Sequence, residues 1–319
     1  MPSAGVSERL NRLGGSMNDR VEPKPDQPGF WESYQPGFRF SREPLGTAAF
    51  FRDVEEHRYR LEPHIPAIAD FARWQGKDVL EVGCGVATDG IRFARAGANY
   101  TGIDESATAV ALARRRFQLE NLQGRILRAS ATNLPFHAAN FDLVWCHGVL
   151  HHIDDAVSVV RECSRVLREG GQVIFMVYHR HSFNYYIGIM TIRRLLAAAL
   201  FVPGVAAVAS GLTGEPIEVF EGHRQLLRLH GIRYLLNRDL FVANNTDGPG
   251  NSLSRMYTRA EITDLLERNG FQHSETRVRY LNARIFPLAR SLERTPLGRK
   301  VATIVGWHLY AFAEKRAPA

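Results

Sequence analysis

Cysteine is nearly absent from the 319 residues. Cys84, Cys146 and Cys163 are an odd set without a C-x-x-C pair, which excludes a disulfide framework or zinc ribbon and fits a reducing cytoplasm. An apolar leader is missing too: Glu8, Arg9, Arg12, Asp19 and Arg20 occupy the positions where a secretory signal needs its apolar stretch. Only one uncharged run is long enough to suggest a membrane span. Leu195 to Gly214 is interrupted by Pro203-Gly204 and weakened by Ser210-Gly211, so it reads as a buried or interfacial helical hairpin. Acidic residues are the minority, 33 against 40 Lys and Arg, giving a formal charge of +7 and a pI near 9.5. That balance favours acidic small molecules, anionic lipid or nucleic acid without choosing among them. The basic residues are dispersed (Arg114, Arg115 and Arg116; Arg193 and Arg194; Arg299 and Lys300). They lack the interleaved aromatics of a single-strand platform, which counts against nucleic acid. No internal repeat or low-complexity tract is present.

Hydrophobic residues make up 45% of the chain, enough for one large core with appendages. Residues 1–45 hold Gly14-Gly15, Pro23, Pro25, Pro28-Gly29 and Pro36-Gly37, a composition that predicts a flexible N-terminal arm with a disordered first stretch. Phe30, Trp31, Tyr34, Phe38 and Phe40 need a surface to cover, either the active site or a second subunit. Phe50 to Trp74 is helical in pattern and divided by Pro63 and Pro66.

A regular alternation follows. Strands are predicted over 78–82, 99–103, 124–129, 141–146 and 172–178, with helices over 88–96, 106–119 and 154–167. Ser106 is a candidate N-cap, and Gly170-Gly171 is expected to end the third helix. The pattern lapses after Tyr178 and resumes at the capping box Thr258-Arg-Ala-Glu261, whose helix stops at Gly270. Two final strands, 271–280 and 306–314, flank a partly helical stretch. The prediction is a doubly wound, mostly parallel, seven-stranded Rossmann-like sheet with an N-terminal arm and an inserted helical lid after strand five. Its parts are the arm (1–45), the first half of a cofactor-binding core (46–180), an inserted lid or dimerisation segment (181–257) and the second half of the core (258–319).

The chemistry is concentrated at strand ends. Val79-Leu-Glu-Val-Gly-Cys-Gly-Val-Ala-Thr88 places a Gly-x-Gly turn between a strand and a helix, where backbone can approach a ligand closely. Asp104 closes the next strand, where a carboxylate can accept both hydroxyls of a ribose. A dinucleotide fingerprint needs a third glycine, and Thr88 occupies its position, which argues against nicotinamide.

The run resembles motif I of the class I S-adenosylmethionine-dependent methyltransferases, in particular the methyltransferase type 11 group. Tyr100-Thr-Gly-Ile-Asp104, Ala129-Ser-Ala-Thr-Asn-Leu-Pro-Phe136, Phe141 to Asp154 with its Gly148-Val-Leu-His-His152, and Leu167-Arg-Glu-Gly-Gly171 are similar to four further motifs in order. The resemblance implies S-adenosyl-L-methionine as cofactor. It implies that Gly83, Cys84 and Gly85 pass under the methionine part, that Glu81 orients the loop or the amino group, and that Asp104, with Glu105 beside it, holds the ribose. Ala131 and Thr132 would edge the adenine, with Ser130 standing where the group usually has an acid. His147 would lie near the amino acid moiety. From an earlier segment, Arg58 or Tyr59 could reach the cofactor carboxylate; an exposed helix face is the alternative.

The candidate catalytic residues are His147, His151 and Tyr178. His147 and His151 would share one helix face, and an imidazole near the methyl could take a proton from an oxygen or nitrogen nucleophile. A metal reading of these histidines has no acidic or cysteine ligand at partner spacing. Structural roles stay open for all three, as they do for Ser130 and Thr132. His179 is a second candidate substrate contact, and Asp247 and Asn251 bind a polar substrate or simply form turns. The leading reading is in-line methyl transfer to a small molecule in a lid-covered pocket of a cytoplasmic, dimeric enzyme. Methylation of a lipid or quinone through peripheral membrane contact is the second, and a noncatalytic nucleotide-like ligand sensor or scaffold the third.

Overall fold

The computed structural model describes residues 29–33, 41–282 and 287–317. The expected disorder of the first stretch, and Tyr34, Phe38 and Phe40, lie outside them. Eight strands form one sheet: β1 (Asp78–Val82), β2 (Asn99–Asp104), β3 (Arg125–Arg128), β4 (Phe141–His147), β5 (Leu167–His179), β6 (Met256–Tyr257), β7 (Phe271–Arg279) and β8 (His308–Lys315). The order is β3-β2-β1-β4-β5-β8-β7, with β6 paired to the end of β5. Strands β1 to β5 run parallel, and β8 is antiparallel to both β5 and β7.

The sheet is covered on both faces, so its central strands are apolar on both. Alternation sends Leu80, Val82, Val144 and Cys146 into one layer, and Val79, Leu143 and Trp145 into the other. Trp145 is fully buried at the centre. Burying side chains of this size contributes roughly 1.5–3 kcal/mol each. The helices that cover these faces carry the two expected caps, Ser106 accepting from Ala109 N and Thr258 with Glu261 completing a capping box, and a further one in Asp155, which accepts from Ser158 N.

Two expectations need correction, and one holds. The sheet has eight strands, not seven, because Met256 and Tyr257 lengthen it beside Tyr178 and His179; a two-residue strand is too short to leave a periodic signal. The helix Ala156–Val166 gives way directly to β5, so Gly170 and Gly171 sit inside the strand rather than stopping the helix. Phe50 to Trp74 does divide as read, into Ala48–Leu61, Ile65–Ala69 and a short 3-10 turn.

The insertion is helical, with an Asn184–Arg193 π-helix followed by Arg194–Ala199, Val205–Thr213, Ile217–His230, Ile232–Leu236 and Arg238–Thr246. Leu195 to Gly214 is thus two short helices around Pro203-Gly204. No helix among the described residues is long and apolar enough to cross a membrane. The insertion packs its own core onto Tyr178, Tyr280 and Trp307 at the end of the sheet where β1 to β5 finish. That edge is where open α/β sheets bind ligands.

Candidate active site

A cavity of about 230 Å³ opens at the carboxyl edge of β1, β2 and β4. A larger and more open depression, about 590 Å³, lies at the opposite edge against Asp78, Asn99 and Gly124, away from the loops that carry the motifs. The turn after β1 shapes the first cavity. Gly83 has φ +71°, and a Cβ added there would sit 2.2 Å from Val149 Cγ2, so only glycine lets the chain pass under the ligand space. Ala87 also adopts a left-handed conformation, φ +54°, which a side chain normally avoids.

Asp104 ends β2 facing this turn. Its Oδ2 accepts from Gly85 N at 2.8 Å and its Oδ1 from Ser106 N at 2.9 Å. Each oxygen keeps a lone pair for a further donor, which fits the paired hydroxyls of a ribose. Burial raises the Asp104 pKa above the usual carboxylate value, against the pull of those two amides. Glu81, buried beneath the turn, accepts from Tyr100 OH at 2.6 Å. Burial first, then neighbouring Asp89, raises its pKa well above the ordinary value.

Asp89 was not singled out by sequence, and it organises the cavity floor. Arg58 donates to it with two nitrogens, 3.1 and 2.8 Å, Trp145 Nε1 donates at 3.1 Å, and Tyr59 OH lies 2.7 Å away. Burial works against the Arg58 charge, but Asp89 and Glu62 outweigh it and hold the guanidinium firmly protonated. With Asp89 satisfied by Arg58, the lining still carries Glu81, Asp104 and Glu105. The cavity therefore presents several carboxyl groups as hydrogen-bond partners, suited to a ligand with hydroxyl and ammonium donors. The residues present fit S-adenosylmethionine in hydroxyl and ammonium recognition.

Of the expected cofactor contacts, Arg58, Glu81, Gly83, Cys84, Gly85, Asp104, Glu105, Ala131 and His147 line the cavity. Tyr59, Ser130 and Thr132 are not among its lining residues. The Tyr59 hydroxyl is turned to Asp89, and the Ser130 and Thr132 hydroxyls lie 3.0 Å from each other. Trp31 of the Gly29–Ser33 helix and His152 line it as well. Glu32 anchors that helix by accepting from Ala107 N, Thr108 N and the Thr108 hydroxyl. The aromatic arm signalled a cover over some surface, but sequence could not say which.

The histidines differ from expectation. His147 is the last residue of β4 and His151 lies in a 3-10 turn, so they share no helix face. Arg58 can only donate, so its contact with His147 Nδ1 at 3.1 Å fixes the ring proton on Nε2, which faces Tyr310 OH at 3.0 Å. Tyr310 in turn lies 3.1 Å from His64 Nε2. Burial, reinforced by Arg58, keeps the His147 pKa well below its ordinary value. Glu62 and His308 bring ligand-type atoms within 4.8 Å of His147. Sequence spacing missed this acid, which comes from the end of the Ala48–Leu61 helix.

His151 is fully buried, and neither ring nitrogen has a hydrogen-bond partner among the described residues. Its ring packs 3.9 Å from Tyr178, centroid to centroid. Tyr178 OH donates to Asp247, and His179 is buried with Nδ1 3.1 Å from Gly306 O. None of these three lines the cavity. Asn251 is inward too, bonded to Ser254.

Residues 80–175 match the family described as Methyltransferase domain. Over that stretch the chain is similar to a methyltransferase domain. Its similarity to ubiquinone biosynthesis O-methyltransferases is 36% identity over 116 residues for Aromatoleum aromaticum, covering 36% of this chain and 50% of that one. For Nitrosospira multiformis it is 36% over 124 residues, covering 37% and 50%. The chain thus spans about half the length of these relatives. Among solved structures, the fold resembles an S-adenosylmethionine-dependent methyltransferase from Methanosarcina mazei with TM-score 0.50, 17% identity, and coverage of 79% of this chain and 98% of that one. Magnesium protoporphyrin IX methyltransferase from Synechocystis PCC 6803, solved with bound SAH, matches with TM-score 0.50, 15% identity and coverage of 91% and 97%.

Proposed function

We propose that this methyltransferase domain transfers the methyl group of S-adenosylmethionine to an oxygen nucleophile on a small molecule. The observation that carries the cofactor half is Asp104, whose two oxygens hold Gly85 N and Ser106 N while facing the cavity. The oxygen preference rests on the O-methyltransferase relatives. The cofactor supplies an electrophilic methyl on sulfur. This chain's residues position both reactants: the Gly83 turn and Asp104 hold the donor, and the 147–152 segment borders the acceptor side.

His147 has both nitrogens engaged and acts in positioning, as a neutral wall of the cofactor space. Insertion residues 247–254 close over the same edge, since His152 Nδ1 donates to Leu253 O at 2.8 Å and Arg255 N donates to His151 O at 2.9 Å. This contact supports the lid role of the insertion.

Incubating the full chain with S-adenosylmethionine and panels of phenols, quinols, carboxylic acids and amines, and following homocysteine release through a coupling hydrolase, tests the reading. Turnover with hydroxyl acceptors is expected. Turnover confined to amines would overturn the oxygen assignment, and no turnover despite cofactor binding would favour the sensor or scaffold alternative.

A further inference from the structure

Nineteen large apolar side chains stand exposed among the described residues, and thirteen of them fall between Phe183 and Leu236. They include Leu195 on the first short helix, Phe201 and Val202 in the turn before Pro203-Gly204, and Val208 and Leu212 on the second helix, with Leu212 83% exposed. A concentration of this kind marks a docking surface rather than ordinary surface scatter.

The charges of the same stretch select the occupant. No acidic residue occurs from Phe183 to Gly214, whereas Arg193 and Arg194 do. Across 183–239 six arginines face four acids, Glu215, Glu218, Glu221 and Asp239, and Glu221 and Asp239 are already paired to Arg224 and Arg238. Arg228 and Arg233 are exposed beside the exposed Leu229, Ile232 and Leu236. Neither makes an ion pair among the described residues. A two-fold contact between copies would set this patch against itself, arginine toward arginine, with few acids to relieve it. An anionic lipid surface complements both its apolar and its cationic parts. The helices are too short to span a bilayer, so the segment would lie on the surface.

We propose that the inserted helices dock this chain on an anionic lipid bilayer, with Phe201, Val202, Val208 and Leu212 entering the interface and Arg228 and Arg233 meeting headgroups. The inference rests on the methyl-transfer reading only for its purpose: the insertion also borders the acceptor side through Asp247 and Leu253, so an apolar acceptor would pass from lipid to site beneath the same segment.

The test is co-sedimentation of the full chain with vesicles of phosphatidylcholine alone and of phosphatidylcholine mixed with phosphatidylglycerol, alongside light scattering to read oligomeric state. The wild type should sediment with the anionic vesicles and be released by salt. Phe201→Asp combined with Leu212→Asp should weaken this by about tenfold or more, and Arg228→Glu with Arg233→Glu should remove the preference for phosphatidylglycerol. S-adenosylhomocysteine affinity should be unchanged in both variants, which separates loss of docking from misfolding. No sedimentation of the wild type, or sedimentation indifferent to both variants, overturns the proposal. So does a wild-type dimer that the Phe201 and Leu212 changes convert to monomer without vesicle binding, which would assign the patch to self-association. Failure of S-adenosylhomocysteine to bind would count against the proposed function and leave the vesicle result standing.

Discussion

His152 Nε2 lies 3.3 Å from Asp247 Oδ2, tying the turn after β4 to the end of the inserted helices. Tyr178 OH donates to the same carboxylate, and both histidine side chain and aspartate are largely buried. Asp247→Ala takes a partner from each of them at once. The expected cost is about 1–3 kcal/mol, seen as a melting temperature lower by a few degrees, with faster proteolytic cleavage within 181–257. A variant as stable and as protease-resistant as wild type would show that the insertion is held by other contacts.

Gly83→Ala tests the close approach of the turn. A methyl group cannot share space with Val149 Cγ2, and the backbone is left-handed there. The variant should lose about 1–3 kcal/mol of stability and bind S-adenosylhomocysteine more weakly. Unchanged affinity in calorimetry would mean that the ligand does not pass over this loop.

The parts of the site written locally were legible in the sequence. A strand, a Gly-x-Gly turn and an acid at the end of the next strand are fixed by neighbouring residues, and the capping residues Ser106 and Thr258 announced two helices. Contacts made across the fold were not. Asp89 reads as an ordinary helix-start residue until Arg58, Tyr59 and Trp145 converge on it, and Glu62 reaches His147 only because the Ala48–Leu61 helix lies along the sheet edge. The shared face expected for His147 and His151 failed because β4 continues through His147, so helical spacing was applied to a strand end. The Ser130 and Thr132 hydroxyls turn to each other while the intervening Ala131 meets the cavity, a pairing that the sequence does not announce.

Arg58→Met leaves Asp89, 2% exposed, without its bidentate cation. Removing one member of a buried pair costs about 3–5 kcal/mol, measurable by urea unfolding. Arg58→Lys should fall between, because an ammonium restores the charge without the two-pronged geometry. Equal stability of all three proteins would contradict the role given to this pair.

Acid should destabilise the fold at mildly low pH. Burial holds His64 down to about 3 and His179 and His223 to about 4, and keeps His147, His151 and His308 well below 6.5. As pH falls below 6.5 the unfolded chain takes up protons that the native one refuses, at roughly 1.4 kcal/mol per pH unit for each such group. Glu62, Glu81 and Glu293, raised by burial above 4.5, and Asp104, raised above 3.8, act in the opposite direction, but they are four against six. The urea midpoint should therefore drop steadily from pH 7 to pH 5. A flat profile would mean that these histidines are not buried neutral.

Calorimetric titration with S-adenosylhomocysteine of the wild type and of Asp104→Ala, with thermal melts confirming that both are folded, tests the cofactor assignment most directly. Saturable single-site binding by the wild type, weakened about a hundredfold in the variant, is the predicted result. No saturable binding by the wild type, or equal affinity in the two proteins, would contradict it.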